Sequence, residues 1–431
     1  MTASPTPLRP GYLGLLRSRE YVGLLLSRLV SLLGDQVSRV ALMVLVFERT
    51  RSPLLSALTY AVTFLPVVVA GPLLGGIADR VPRRRVLVSA DLLRAGLLFL
   101  MALPGVPIGV LLLLVMLVST VQAPWEAARA PLLREVLVDD DRYQRGSALD
   151  ETLDQGGQIA GFVAAGLLLT VVSTPVALVL DGCSFLASAA LVRWLLSHRP
   201  AAHQDDEPPG DLAGRARRAV DDARVGWRAA MAPACRRPLL LTWAGISVSI
   251  SPEALAAPWA ASLGAGPVGV GLLFTAGPLG ALVGLLLLGR LSTPVAERWL
   301  TPLAVLSVVP LTLCLLDPSL PVALGLVAVS GAAGSYSMLA RVAFVRGAGS
   351  GAGGRAFSIA AAGVTVGQGL GTATAGLTAA LVGPAAAVGL CGVLGLLLLA
   401  PVVACCPRAA VGPPADVVDG DTERGSVLLR G

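Results

Sequence analysis

The chain has 431 residues, of which 55% are hydrophobic and only 14% are charged, and its mean hydropathy is +0.77. This composition excludes a soluble globular domain, so we expect lipid to surround most of the chain. The formal charge is +6 although the sequence contains no lysine. Without lysine there is no phosphate-binding G-x-x-x-x-G-K-S/T loop, which excludes energy supplied by ATP bound to this chain.

Twelve apolar stretches are long enough to cross a bilayer, since a helical span needs about 20 residues. We predict the spans, in chain order, over residues 21–47, 53–78, 85–103, 106–128, 147–171, 174–197, 239–259, 267–290, 299–316, 320–341, 356–381 and 384–405. Arginines fill alternate connections, whereas the other connections carry only Arg49 and Arg51. The positive-inside rule therefore predicts a multi-pass protein of the cytoplasmic membrane with both termini cytoplasmic, and the basic charge implies no nucleic-acid partner.

The first predicted span contains three ionisable residues, Arg28, Asp35 and Arg39, separated by seven and four positions. This spacing places them on one helical face, with Asp35 close to the middle of the bilayer. Charges within a span cost about 2.5–3.5 kcal/mol each on insertion, so their positions indicate a functional site. Two roles are open for Asp35: it exchanges protons beside a substrate cavity, or it forms a structural ion pair with Arg39.

Residues 75–85, between the second and third predicted spans, read G-G-I-A-D-R-V-P-R-R-R. They resemble the loop G-x-x-x-D-R-x-G-x-R-R between helices two and three of the major facilitator superfamily, although Pro82 replaces the second glycine. The matching positions are Gly75, Asp79, Arg80, Arg84 and Arg85. The resemblance implies an all-α integral membrane fold of twelve transmembrane helices in two pseudo-symmetric six-helix bundles. It also implies a gating loop, in which Asp79 faces a helix N-terminus from the other half. The alternative is a loop that only anchors the cytoplasmic side.

Further polar residues lie near the cytoplasmic ends of the third and fifth predicted spans. Asp91 and Arg94 belong to the third span, and Asp154 belongs to the fifth. We predict that they form an inner polar layer that supports the Asp79 contact.

Two segments are similar to one branch of that superfamily, the proton-coupled multidrug and siderophore exporters, which include enterobactin exporters and macrolide-efflux proteins. They are residues 31–35 in the first span and residues 180–185 in the sixth. This resemblance implies export, with Asp181 as a second carboxylate of the cavity. The other interpretation of Asp181 is a hydrogen bond that packs two helices. Glu253 in the seventh span is a third candidate, or else a solvated carboxylate of the vestibule.

An internal repeat relates the fifth and eleventh spans, because residues 157–166 and 367–376 both read G-Q-x-x-G-x-x-x-A-G. Their separation equals six helices plus a linker, as expected for two related halves. Closely spaced glycines leave flat faces on which another helix can pack. The predicted packing positions are Gly157, Gly161, Gly166, Gly367, Gly371 and Gly376.

A rise in polarity divides the chain into four predicted regions. We predict six-helix bundles over residues 1–197 and 239–406, joined by a cytoplasmic linker with an amphipathic helix over residues 198–238. Residues 407–431 are predicted to be a disordered cytoplasmic tail.

The sequence thus predicts a secondary transporter and not an enzyme, with no catalytic constellation, metal site or cofactor. Its expected partners are protons, the lipid bilayer and a small amphiphilic compound, such as an antibiotic, a drug or a siderophore, exported by proton antiport with alternating access. The family resemblance implies a monomer. An importer or facilitator on the same fold is the first alternative, and a transport-silent membrane sensor or scaffold is the second.

Overall fold

The computed structural model describes residues 12–64, 66, 81–199, 212–290 and 293–406, and every regular element within them is helical. In chain order the helices are α1 Tyr12–Leu15, α2 Arg19–Thr50, α3 Pro53–Ala61, α4 Arg83–Met101, α5 Ile108–Val136, α6 Asp140–Leu168, α7 Thr174–Leu195, α8 Leu212–Ala230, α9 Pro233–Ser249, α10 Ser251–Ala254, α11 Ala256–Ser262, α12 Gly266–Leu288, α13 Thr293–Leu306, α14 Val309–Thr312, α15 Leu320–Gly334, α16 Tyr336–Val382 and α17 Pro384–Cys405. A short 3₁₀ turn, Leu313–Leu316, follows α14. Among these residues, seven helices or runs of adjoining helices are long and apolar enough to cross a membrane, and an eighth span results if α9 to α11, bent by 49°, are taken together.

The turn between α2 and α3 marks one end of the molecule, which we call the arginine-poor end. At about 48 Å, the 32 residues of α2 exceed the thickness of a bilayer core. The helix ends at Arg51, whose φ of 52° reverses the chain. Ser52 then caps α3 by accepting a hydrogen bond from the backbone N–H of Leu55, and Pro53 begins the helix. Two residues therefore suffice to join α2 to α3.

At the opposite, arginine-rich end, α5 and α6 extend beyond their predicted spans. Prediction ended the fourth span at residue 128 and began the fifth at residue 147, whereas α5 continues to Val136 and α6 begins at Asp140. The added turns are polar, and their charges pair between the two helices, as in Arg134 with Asp140. Hydropathy marks only the lipid-facing length of a helix, so it missed turns that ion pairs stabilise.

Helix α16 hydrogen-bonds as one helix over 47 residues, although two spans were predicted there. Its contacts with α9 nevertheless show that the chain reverses direction between Phe344 and Ala360. The hydrogen bonds, in order along α16, are Tyr336 Oη to Leu241 O at 2.7 Å, Cys235 Sγ to Phe344 O at 3.6 Å, and Trp243 Nε1 to Ala360 O at 3.0 Å. Along α16, the residue number contacted on α9 first decreases from 241 to 235 and then increases to 243. The two parts of α16 therefore run antiparallel to each other.

The helices form an N-terminal group, α2 to α7, and a C-terminal group, α9 to α17, with related internal packing. In the N-terminal group, a Cβ at Gly161 of α6 would lie 2.8 Å from Gln36 of α2. In the C-terminal group, Gly371 of α16 faces the backbone of Ser247 on α9 in the same way. Because α2 and α9 are the first spanning helices of their groups, the same pair of helices meets in both halves, as a pseudo-symmetric fold requires.

The two groups meet through α3 with α16 and through α6 with α12. A Cβ at Gly166 of α6 would lie only 2.9 Å from the Cα of Gly271 on α12, and the Phe162 and Phe274 rings stack at 4.8 Å between the same helices. Gly376 of α16 lies against α3. These contacts occupy the arginine-poor halves of their helices, so the two groups are closed together at that end.

Candidate functional site

A cavity of about 220 Å³ lies inside the N-terminal group between α2, α3, α4 and α5. Asp35 and Arg39 of α2 line it together with Tyr60 of α3. Its other polar residues are Ser38, Thr59, Thr63, Ser119 and Gln122. A carboxylate, a guanidinium and several hydroxyls thus converge on a cavity whose remaining wall is apolar.

Asp181 of α7 lies next to the helical turn that carries Asp35. The absence of a side chain at Gly34 makes this possible, because a Cβ there would overlap Asp181 and Ser184. Asp181 is 1% exposed, and its Oδ1 accepts a hydrogen bond from Ser184 Oγ at 3.1 Å. In the described part of the chain, neither the Asp35 nor the Asp181 carboxylate has a cation within 4.0 Å. The structure therefore brings two predicted carboxylates together on adjacent helices.

Arg28 is directed away from Asp35, towards α5 and α6. Its Nε and Nη2 each lie 3.0 Å from an oxygen of Asp154, and its Nη1 lies 3.0 Å from Glu126 Oε1. A planar guanidinium can bind one carboxylate through two nitrogens and a second carboxylate through the third, whereas lysine has a single nitrogen. The spacing along α2 predicted that Arg28 lies beside Asp35, but Arg28 forms its ion pairs with Asp154 and Glu126 on the other helices.

Asp91 and Arg94 of α4 occupy the buried centre of the N-terminal group. Asp91 is fully buried and accepts a hydrogen bond from Ser188 Oγ at 2.6 Å. The Arg94 guanidinium lies 5.1 Å from the Phe185 ring centroid and 5.7 Å from that of Trp125. Two aromatic faces thus stabilise a cation that is only 3% exposed.

Trp125, which sequence reasoning missed, is the centre of a larger cluster. Arg28 and Arg129 also lie over its ring, with centroid distances of 5.5 Å and 5.7 Å. With Arg94, three guanidinium groups from α2, α4 and α5 surround one indole that is 1% exposed. The position Pro124-Trp125 within an apolar helix was the available signal, but nothing in the sequence indicated which arginines it would meet.

Glu253 belongs to the C-terminal group, yet it bonds to the N-terminal group. Its Oε2 accepts a hydrogen bond from Tyr60 Oη at 2.9 Å. The Arg39 guanidinium lies 5.5 Å from the centroid of the same tyrosine ring. Arg39 therefore contacts Tyr60 and forms no ion pair with Asp35 within 4.0 Å. Tyr60 was not among the predicted site residues.

The predicted gating loop is described only in part, since Gly75, Asp79 and Arg80 lie outside the described residues. Arg84 donates a hydrogen bond to the backbone carbonyl of Arg193 at the end of α7. Arg85 is exposed. A cationic side chain at a helix C-terminus is favoured by the helix dipole, so Arg84 ties α4 to α7.

The six predicted packing glycines all face neighbouring helices. A Cβ at Gly157 would lie 2.8 Å from Leu32, and one at Gly367 would lie 3.4 Å from Ser247. Gly161, Gly166, Gly371 and Gly376 make the contacts given above. Small residues at such positions let helix backbones approach closely in lipid.

A second cavity, of about 680 Å³, lies in the C-terminal group between α9, α16 and α17. Its wall is almost entirely apolar, with Ser247 and Thr374 among the few polar residues. Trp227 of α8 closes one part of it and stacks on Trp243 at 6.1 Å. It is larger than the polar cavity, and none of the described residues that line it is charged.

The all-helical fold and its buried charges around internal cavities define a membrane transport protein. The Major Facilitator Superfamily model matches residues 24–252, and the chain belongs to that family. Macrolide efflux protein A of Streptococcus pyogenes is 25% identical over 145 residues, covering 33% of this chain and 36% of that protein. The uncharacterized MFS-type transporter YkuC of Bacillus subtilis (strain 168) is 26% identical over 182 residues, covering 41% and 42%. The chain thus matches well under half the length of these relatives.

Similarity to solved structures extends over the whole fold. A POT family transporter in complex with 5-aminolevulinic acid has a TM-score of 0.70 at 11% identity, covering 92% of this chain and 98% of that one. A mutant of the nucleoside transporter NupG has a TM-score of 0.68 at 13% identity, covering 89% and 99%. The major facilitator fold predicted from the sequence is therefore confirmed. Membership of the Major Facilitator Superfamily makes the chain a transport protein rather than an enzyme, as predicted.

Proposed function

We propose that this protein exports a small amphiphilic compound across the cytoplasmic membrane in exchange for protons. The observation that carries the proposal is the pair Asp35 and Asp181, two carboxylates on adjacent helices that make no ion pair with any cation of the described residues. Ionisable groups within the membrane spans of a transporter mark proton or substrate pathways. The macrolide efflux relative supports export as the direction.

In the proposed cycle the bundles of residues 1–197 and 239–406 rock against each other about the cavities, with the linker over residues 198–238. Asp35 lines the polar cavity, so it accepts a proton when that cavity faces outside and releases it when the cavity faces inside. Asp181 and Glu253 assist it. Closure of the groups at the arginine-poor end supports an inward-facing state, if that end is outside as the arginine distribution predicts.

The two cavities support an amphiphilic substrate. Ligand pockets usually have volumes of about 300–1,000 Å³, so the polar cavity of about 220 Å³ accommodates only part of a drug-sized compound. The apolar cavity of about 680 Å³ falls within that range. We assign the polar cavity to a cationic or hydrogen-bonding group and the apolar cavity to a hydrophobic body.

Asp35→Asn is expected to reduce proton-driven export to the level of cells that lack the protein. The amide keeps the size of the side chain but neither binds nor releases a proton, so coupling fails while the fold is kept. Cellular accumulation is measured for a macrolide, other antibiotics, dyes and siderophores, each with and without a proton uncoupler. Asp140→Asn is the matched control, because Asp140 is 86% exposed at the arginine-rich end.

Wild-type cells are expected to accumulate less of at least one compound, and only while the proton gradient is present. Export by the Asp35→Asn variant that still depends on the gradient would contradict the role of Asp35. Gradient-driven accumulation, in place of depletion, would instead assign import on the same fold.

A further inference from the structure

We infer that Tyr60 is a latch that holds the two helix groups together at the arginine-poor end, and that its bond to Glu253 must break before this end opens. The inference deepens the proposed function by naming the residue that gates one side of the cavity. The contact between the two helix groups through Tyr60 and Glu253 does not depend on which ion drives transport.

The geometry of Tyr60 is that of a connector between the two groups. Tyr60 lies in α3 of the N-terminal group and is 5% exposed. Its hydroxyl donates to Glu253 Oε2 at 2.9 Å, and Glu253 lies in α10 of the C-terminal group. Hydrogen bonds to a carboxylate are among the stronger ones in proteins, particularly where water is excluded. A single side chain therefore joins elements separated by 193 positions in the chain.

The surroundings reinforce this bond on the same closed face. The Tyr60 ring meets Phe274 of the C-terminal group edge-on, with centroids 6.0 Å apart. Phe274 in turn stacks on Phe162 at 4.8 Å. Three aromatic rings thus alternate between the two groups beside the close backbone approach of Gly166 and Gly271. Separation of the groups at this end must break the Tyr60 bond and part these rings together.

Tyr60 is also part of the cavity wall, which distinguishes it from an ordinary packing residue. Its ring lines the polar cavity with Asp35 and Arg39, and the Arg39 guanidinium lies 5.5 Å from the ring centroid. A ligand in this cavity therefore touches the side chain whose hydroxyl holds Glu253. Cavity occupancy and closure of the arginine-poor end share one residue.

Among the described residues, few charged or titratable groups surround Glu253. The charged or titratable groups that act on it are Tyr60 and Arg39. Gly277 of α12 is near its other oxygen, since a Cβ there would lie 3.8 Å from Oε1. Removing the Tyr60 hydroxyl therefore removes the main partner of the Glu253 carboxylate.

Hydrogen–deuterium exchange of the full chain in nanodiscs tests the latch. Tyr60→Phe is expected to raise amide exchange in α3 and α10 about tenfold or more, the effect of losing one hydrogen bond to a charged group. Tyr21→Phe and Tyr336→Phe are matched controls, since each loses one buried tyrosine hydrogen bond that stays within its own group, to Gly146 O and Leu241 O. Neither control is expected to change exchange in α3 and α10 together.

Glu253→Ala and the double variant with Tyr60→Phe complete the test. If one bond forms the latch, Glu253→Ala raises exchange as Tyr60→Phe does, and the double variant adds little further. Glu253→Gln keeps an acceptor oxygen and is expected to restore part of the protection. Exchange in Tyr60→Phe equal to that in the controls, or fully additive effects in the double variant, would overturn the inference. The exchange result does not depend on whether the protein exports its substrate in exchange for protons. Failure of the latch and failure of the proposed function are therefore separable.

Discussion

Gly166→Leu is expected to reduce transport about 5- to 150-fold while the protein still folds. A Cβ at Gly166 would lie 2.9 Å from Gly271 Cα and 3.2 Å from the Pro267 carbonyl oxygen, and both are backbone atoms that have no rotamer to change. The added side chain therefore penalises the state in which α6 and α12 touch. Overpacking costs about 1–3 kcal/mol, and applied to one conformation that cost shifts the population by the stated factor.

Gly156→Leu is the matched control for this variant. Gly156 lies on the same helix, and a Cβ there meets no atom within 4 Å. Initial transport rates and thermal midpoints are measured for both variants in proteoliposomes or detergent. Equal transport by Gly166→Leu and Gly156→Leu would contradict a cycle that passes through the closed arrangement. Equal loss of thermal stability would instead point to simple overpacking of the core.

Much of the fold was predictable because long apolar runs constrain it strongly. The predicted sixth span over residues 174–197 and the twelfth over residues 384–405 almost coincide with Thr174–Leu195 and Pro384–Cys405. A stretch of about 20 apolar residues in lipid has few alternatives to a helix, since its backbone groups must bond internally. Prediction and structure differ where the bilayer does not determine the helix boundaries, at the polar ends of α5 and α6 and in the Gly-rich bend of α16.

The sequence named some of the residues at the candidate site, but it could not indicate how they pair. Asp35 and Arg39, which the spacing along α2 puts on one helical face, both line the polar cavity. The same spacing said nothing of Asp154 and Glu126, which bind Arg28 from other helices. Periodicity describes one helix at a time, whereas a long arginine side chain reaches whichever neighbouring helix the fold provides.

Tyr60 is a second residue whose partner the sequence could not indicate. Nothing distinguishes a tyrosine in an apolar span until the acceptor of its hydroxyl is known, and here the acceptor lies 193 positions away. The predicted role of Glu253 in the cavity stays a prediction. Its bond to the other helix group is a property of the tertiary structure alone.

Trp125→Ala is expected to cost about 3–5 kcal/mol of stability, the range for removing a fully buried tryptophan from a core. The indole is 1% exposed and packs in the cluster that includes Ala128 and Leu132. Its loss also deprives Arg94 of one of two aromatic faces, and a buried guanidinium without them is poorly compensated. Thermal unfolding in detergent, followed by circular dichroism, measures the change.

Trp125→Phe separates the two contributions, because phenylalanine keeps an aromatic face for Arg28, Arg94 and Arg129 but fills less volume. We expect it to retain more than half of the stability that Trp125→Ala loses. Trp299→Ala is the exposed control, at 52% exposure, and is expected to change the midpoint little. If Trp125→Phe were as destabilised as Trp125→Ala, the indole volume and not its aromatic face would stabilise the cluster. If Trp125→Ala matched Trp299→Ala, the cluster would contribute little, and the three arginines would be held by their carboxylates and by the helices that carry them.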